Sequence, residues 1–234
     1  MSGEASCRRG TRRRRDPACG LVLEPTVGLE IVPASDADYR VVSNLARFYV
    51  YDVAVHAGWK FPVDGLFDSE DRFANYWRRS GAKRAWPSAW RGFPFLLRVD
   101  GHPAGFALVK RLSKAPATFD MGEFFVARQH RRQGIGRRVA VELFDTFGGC
   151  WEVREMPTNT PAQRFWRRII ADYTGGAFTE AREAFAAYDG RDFIVQRFHC
   201  AGDRASPTPL TAQERRSAAA EPAYVKPARR KASR

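Results

Sequence analysis

The chain has 234 residues, 44% of them apolar and 13% aromatic, enough for one domain with a buried core. Its formal net charge of +13 is uneven: residues 1–27 carry six Arg against three acids, residues 200–234 carry eight Lys or Arg against three acids, and about +5 is left for the middle. No stretch approaches the ~20 apolar residues that span a bilayer and no apolar run follows the arginine-rich N-terminus, so neither a membrane span nor a secretory signal is expected.

Residues 1–27, with the unbroken run Arg12 to Arg15, and residues 200–234, rich in Ala, Pro, Ser, Arg and Lys, show no apolar periodicity. Both read as disordered basic extensions flanking a core at 28–199. Such tails can touch nucleic acid, but a solvated tail with no partner is the reading that composition favours. In the core, Leu29 to Val32 suggests a first strand, and Ser35 or Asp36 can cap a helix carrying Val41, Val42, Leu45, Phe48 and Tyr49 on one face. Residues 69–79 read as a second helix with Phe73, Tyr76 and Trp77 on one side, and Pro87, Gly92 and Pro94 mark a loop after it. Phe93 to Val99 and Ala104 to Lys110 flank Asp100-Gly101, the strongest short-range hairpin signal. A further strand is expected over Asp120 to Ala127.

Gly134 to Phe147 reads as a helix, because Ile135, Val139, Leu143 and Phe147 recur every four residues, and Gly148-Gly149 ends it. Cys150 to Arg154 reads as a strand, and Pro161 opens a helix to about Ala171 with Thr160 as its cap. Two short strands close the core around Asp189-Gly190. The four cysteines, Cys7, Cys19, Cys150 and Cys200, form no C-x-x-C pair, and the histidines show no ligand spacing. No metal is therefore expected, and the compartment reads as reducing and cytoplasmic. Cys150 reads as a buried small hydrophobe.

The informative stretch is Met121 to Gly136, where a strand enters a basic loop that becomes a helix N-terminus. The first N–H groups of a helix have no intrahelical partner, and with the helix dipole they favour an anion. Gly134 and Gly136 lack side chains that would hold a phosphate off the backbone, and Arg131, Arg132, Arg137 and Arg138 add positive charge. The loop is thus a candidate phosphate or diphosphate site. The P-loop pattern is absent, and the dinucleotide pattern fails because Val139 stands at its third glycine.

What is present is Arg131-x-x-Gly134-x-Gly136 straight after a strand. This resembles the coenzyme A diphosphate loop of the GNAT acetyltransferase family, with Arg131, Arg132, Gln133, Gly134, Ile135, Gly136 and Arg137 in the loop. Asn159-Thr-Pro-Ala-Gln-Arg-Phe-Trp166 is similar to the family's second motif, N-x-x-A-x-x-[FL]-Y. The resemblance covers the core and neither tail. It implies a single α/β (α+β) domain: a mixed sheet of about six to seven strands, helices on both faces, and splayed parallel strands forming an acetyl-CoA cleft.

It also implies an acetyl-CoA-dependent N-acetyltransferase acting by direct attack on the thioester. The pantetheine arm would lie along Gly122 to Ala127 and bond the main chain of Phe124, Phe125 and Val126, and Asn159 would touch the coenzyme. Glu123 is the expected base, its pKa lifted by a cleft walled by Phe124 and Phe125. A backbone N–H near Val126 would hold the oxyanion. The family often carries a tyrosine acid where this chain has Trp166, whose indole is a poor acid, so Trp166 is expected to wall the pantetheine instead. Tyr51, Asp52 and Asp64 are the expected acceptor contacts, an aromatic and acidic set suited to a cationic small-molecule amine. A protein lysine or N-terminal acceptor, or a degenerate acyl-CoA-binding module whose tails contact nucleic acid, are the alternatives, in a monomer or homodimer.

Overall fold

The computed structural model describes residues 28–67, 73–77, 91–112, 118–185, 188 and 190–200. The strands are β1 (Leu29–Pro33), β2 (Arg91–Val99), β3 (His102–Leu112), β4 (Thr118–Val126), β5 (Gly149–Glu155), β6 (Phe178–Phe185) and β7 (Arg191–Cys200). They form one seven-stranded sheet in the order β1-β2-β3-β4-β5-β7-β6. Only β4 and β5 are parallel; every other pair is antiparallel. Helix α1 (Tyr39–Ala57) covers one face, and α2 (Ile135–Phe147) and α3 (Thr160–Thr174) cover the other.

Strand alternation builds both layers at once. Leu96, Phe106, Leu108 and Phe125 face α1, where they meet Val42 and Ala46. Their neighbours Leu97, Ala107, Val109 and Val126 turn the other way and pack with Val139, Leu143, Phe144 and Ile170 of α2 and α3. Rings dominate this second core: Phe144 meets Trp151 and Phe198 edge-on, each at 4.9 Å between centroids. Asp100 and Gly101, at φ 51° and 78°, make the hairpin turn that Asp-Gly announced.

Local chemistry also explains where elements differ from expectation. β2 starts at Arg91, so Gly92 and Pro94 lie in the strand and not in a loop. Pro94 has no N–H to give, and β1 pairing stops one residue short of it, at Pro33↔Phe95. The cap of α3 is Asn159, whose Oδ1 accepts from Ala162 N–H at 3.2 Å, and Thr160 is the first helical residue. Of the helix expected over 69–79, only residues 73–77 are described, and Ala74–Trp77 is a short 3-10 turn. The closing strands are eight and ten residues long, not short, and Asp189 lies outside the described residues. Both tails lie outside them too, apart from Cys200, which ends β7.

Glu155, the last residue of β5, is 4% exposed, and neither carboxyl oxygen has a hydrogen-bond partner. It shares the α3 face with Gln196, which stands opposite Val153 and whose Oε1 is also unpartnered. Arg167 is held by Glu180 at 3.0 and 2.7 Å and so gives Glu155 little relief. Burial and then the Glu180 charge push the Glu155 carboxyl up from 4.5 to about 8. The folded protein therefore holds a proton there that the unfolded chain releases, and stability falls as pH rises from about 4.5 to about 8. Glu155→Gln removes that loss: on the order of 3 kcal/mol should be gained at pH 8 and little at pH 4.5. Melting temperatures at the two pH values check this, with a rise of several degrees expected at pH 8 alone.

Candidate active site

β4 and β5 are paired at only three positions, Thr118↔Cys150, Phe119↔Trp151 and Asp120↔Glu152. Beyond Asp120 the strands part, and the β5-facing edge of β4 is left open to an extended ligand chain, which can pair like an added strand. A bulge sits just past the apex of this cleft. Leu108 opposes Glu123 and Val109 opposes Met121, which leaves Gly122 as the extra residue. No side chain fits there: an added Cβ would lie 2.1 Å from the Tyr76 hydroxyl and 3.2 Å from the Leu108 carbonyl oxygen.

The bulge decides where Glu123 points. In an unbroken strand Glu123 would share the face of Met121, toward α2 and α3. The extra residue moves it to the α1 face, in line with Asp120 and Phe125 and opposite Leu108. Phe124 then faces the other way, with its ring 5.0 Å from Trp166 and 5.9 Å from Phe165. The expected pair of walls is therefore divided: Phe125 shares the Glu123 face and Phe124 does not. Trp166 is 6% exposed, in the α2–α3 core against Phe124 and Phe144. Val126 lies four residues beyond the bulge, ~13 Å along an extended strand, and its carbonyl accepts from Arg131 Nε at 2.7 Å. It stands at the loop end of the cleft.

The loop has the form that an anion site needs. Arg132 and Gly134 take left-handed φ of 63° and 75°, and Gly134 caps α2 without a side-chain hydrogen bond. Arg138 N–H is the first to reach back, to the Gly134 carbonyl at 3.0 Å. The N–H groups of Ile135, Gly136 and Arg137 are thus left at the helix end without intrahelical partners. A Cβ at Gly134 would meet nothing within 4 Å, so the space over it is open. Gly136 has another reason to be glycine: a Cβ there would lie 3.0 Å from the Phe165 ring. Ile135 is buried, while Arg132, Gln133 and Arg137 are exposed. Gln133 Nε2 donates to the Gln129 carbonyl at 2.9 Å.

Asp52, expected as an acceptor contact, is engaged elsewhere. Its two oxygens receive Arg128 at 2.7 Å and Arg131 at 2.5 Å. Burial pulls its carboxyl up, but the two arginine hydrogen bonds outweigh burial and hold it below the ordinary range. The Arg131 side chain is thereby turned to α1 and the Phe125 ring, 5.5 Å away, instead of lying over Gly134. Tyr51 is half exposed beside Phe61, and Asp64 Oδ1 accepts from Leu66 N–H at 3.0 Å. Asn159 uses Oδ1 as the α3 cap.

Sequence reasoning missed a polar row on the α1 face at the cleft apex. Lys110 and Arg154 meet Asp120 Oδ2 at 3.2 and 2.8 Å. Arg154 also lies 3.5 Å from Glu152, which receives Arg197 Nε at 2.9 Å, and Arg197 pairs with Glu183. Tyr76 and Tyr188 stand close enough to feel these charges. The available signal was charged residues at alternating positions of strands otherwise apolar, namely Lys110, Asp120, Glu152 and Arg154. No group of three or more His, Cys, Asp or Glu side chains converges among the described residues.

Residues 62–170 match the family model described as Acetyltransferase (GNAT) family. No curated protein sequence matches the chain. Among solved structures, an acetyltransferase from Thermus thermophilus superposes with a TM-score of 0.50 at 17% identity, covering 74% of this chain and 97% of that one. Arabidopsis thaliana NAA60, solved with a bisubstrate analogue, gives 0.48 at 16%, covering 75% and 99%. The ribosomal-protein-S18-alanine N-acetyltransferase from Escherichia coli gives 0.46 at 16%, covering 78% and 99%. The open mixed sheet, the family model and the Thermus superposition together define an acyltransferase fold. Residues 62–170 are thus matched by the GNAT acetyltransferase model within a fold of the same kind.

Gly134→Asp tests the loop. The space over Gly134 is open, so the cost to the fold is the backbone strain of a side chain at its left-handed φ, which Asp tolerates better than most residues, while the carboxylate occupies and repels the anion position. A loss of at least 100-fold in acetyl-CoA affinity is expected by calorimetry, with the melting temperature within a few degrees of wild type.

Proposed function

We propose that the protein transfers the acetyl group of acetyl-CoA to a primary amine of a small molecule by direct attack on the thioester. The observation that carries this reading is the opening between β4 and β5, continuous with a helix N-terminus whose loop carries Arg131-x-x-Gly134-x-Gly136. The diphosphate would lie on the N–H groups of Ile135, Gly136 and Arg137, with Arg132 and Arg137 beside it. The pantetheine arm would run back along the open edge of β4, past Val126, Phe125 and Phe124, and bring the thioester to the bulge at Gly122.

There the amine must arrive as a free base. Glu123, on the α1 face beside Gly122, takes its proton directly or through a water. The nitrogen lone pair then attacks the carbonyl carbon, the C–S bond breaks as the amide forms, and the coenzyme leaves as thiol after taking up a proton. Nearness of the reacting atoms in the cleft supplies much of the acceleration.

A second reading, a protein lysine or N-terminus as acceptor, draws on another observation. Phe48, Tyr51, Val55, Phe61 and Leu66, on α1 and the segment after it, are between 46% and 75% exposed. A polypeptide offers more apolar surface to such side chains than a small amine does.

Calorimetry with acetyl-CoA, followed by thiol release over a panel of spermidine, tyramine, a lysine peptide and a peptide with a free N-terminus, tests both readings. Binding with turnover on the first two supports the small-amine reading. Turnover on the peptides alone replaces it with the second, and absence of acetyl-CoA binding overturns both. Glu123→Gln should lower turnover at pH 7 by roughly 100-fold or more and leave acetyl-CoA affinity within twofold. An equal loss of affinity would make Glu123 a structural residue.

A further inference from the structure

Asp52 is the only acid in α1, and its side chain is 21% exposed. Packing at that depth needs no charge, and a carboxylate drawn out of water is costly unless cations meet it. Two do, Arg128 at 2.7 Å on one oxygen and Arg131 at 2.5 Å on the other. Arg128 is 73% exposed, so its share is a surface ion pair of small value. Arg131 is held on three sides. Its Nε donates to the Val126 carbonyl at 2.7 Å, its Nη2 donates to Asp52, and its guanidinium lies 5.5 Å from the centre of the Phe125 ring.

The anchor on Val126 stands at the open edge. Ala127 N–H donates to the Ala104 carbonyl at 2.8 Å, so Gly105 and Val126 are the kind of antiparallel pair whose own N–H and C=O turn away from each other. Val126 therefore presents both groups to the side of β4 that β5 has left, and Arg131 takes the carbonyl. The next residue, Arg132, has a φ of 63°, which a residue with a side chain keeps only where its surroundings impose it. Gly134, the α2 cap, follows two positions later. Arg131 is thus the last fixed point before the two left-handed residues that aim the helix N-terminus. The support behind it is tied down as well: the His56 carbonyl, one turn after Asp52, accepts from Thr158 Oγ1 at 2.7 Å.

We propose that Asp52 is a positioning residue for the coenzyme: it holds Arg131 across the end of β4 and so fixes the loop whose N–H groups take the diphosphate, with Arg131 as a strut and not a phosphate ligand. This rests on the reading of that loop as the diphosphate site.

Asp52→Asn in the full chain separates the strut from simple electrostatics by the sign of its effect. Burial pulls the Asp52 carboxyl up, but the arginine hydrogen bonds hold it below the ordinary range, so it is an anion at neutral pH. Removing an anion near an anion site tightens binding if charge alone matters. The strut requires the opposite, an acetyl-CoA affinity about tenfold weaker by calorimetry. Arg131→Lys keeps the charge, but one ammonium cannot replace the planar fork that serves Asp52 and Val126 together, so it should weaken binding similarly. Equal or tighter binding in either variant overturns the proposal. With an acceptor in hand, the KM for acetyl-CoA should rise while kcat and the acceptor KM stay within about twofold. A rise in the acceptor KM alone would make Asp52 an acceptor contact and overturn it too. Nitrogen NMR of the Arg131 Nε–H, assigned by Arg131→Lys, reads the strut directly. Slow exchange with water is expected in the wild type, with or without acetyl-CoA, and faster exchange in Asp52→Asn. Fast exchange in the wild type, or release of Arg131 from Asp52 when acetyl-CoA binds, overturns the proposal without requiring any variant to fold. Failure of the wild type to bind acetyl-CoA sinks the diphosphate reading and the strut's role with it, whereas a wild type and variants that all bind equally sink the strut alone.

Discussion

Two adjacent parallel strands that stop pairing after three residues leave a sheet with an unfilled seam, and everything around the site serves to hold that seam open at one end and shut at the other. Below the apex, Thr118↔Cys150 to Asp120↔Glu152 keep β4 and β5 together. Just above it the bulge at Gly122 adds twist and bends β4 away, as an extra residue in one strand does. An open β edge inside a fold is costly unless something pairs with it. The same cost makes the seam a receptor for an extended chain that carries its own amide groups. The α2 N-terminus at Gly134, a place that favours an anion, follows the open end of β4 in the chain.

The shut end is held by charge. Lys110, Asp120, Arg154, Glu152, Arg197 and Glu183 alternate in sign across β3, β4, β5, β7 and β6. Each buried carboxylate has two cations, which is the arrangement that makes burial of ions tolerable. Burial pulls the Lys110 amine down, and Asp120 more than restores it. The opposite face of the same strands shows what happens without such partners: Glu155, with no donor at either oxygen, keeps its proton instead.

Helix α1 connects the two lips of the seam from outside the sheet. Its Asp52 receives Arg128 and Arg131 from the loop after β4, and its His56 carbonyl accepts from Thr158 Oγ1, in the loop after β5, at 2.7 Å. One helix is thus tied both to the loop after β4 and to the loop after β5. The Arg131 guanidinium, which also reaches the Val126 carbonyl, ties the helix to the strand edge as well.

By itself the sequence determined the elements and the loop. The four-residue apolar repeat of α2, the Asp100-Gly101 turn, the double glycine after α2 and the Arg131-x-x-Gly134-x-Gly136 loop are local features, set by neighbours a few positions apart, so they can be read without the fold. Tertiary structure alone decided which faces the site residues take. Period-two alternation predicts the face of Glu123 only if β4 is regular, and the bulge that reverses it depends on the pairing with β3 and on a tyrosine hydroxyl from 46 positions away in the chain resting on Gly122. The same holds for Asp52, whose arginines are more than 70 residues distant in the chain, and for Gly136, whose missing side chain makes room for Phe165 as well as for a phosphate. Such contacts arise from packing across the sheet, and no local pattern carries them.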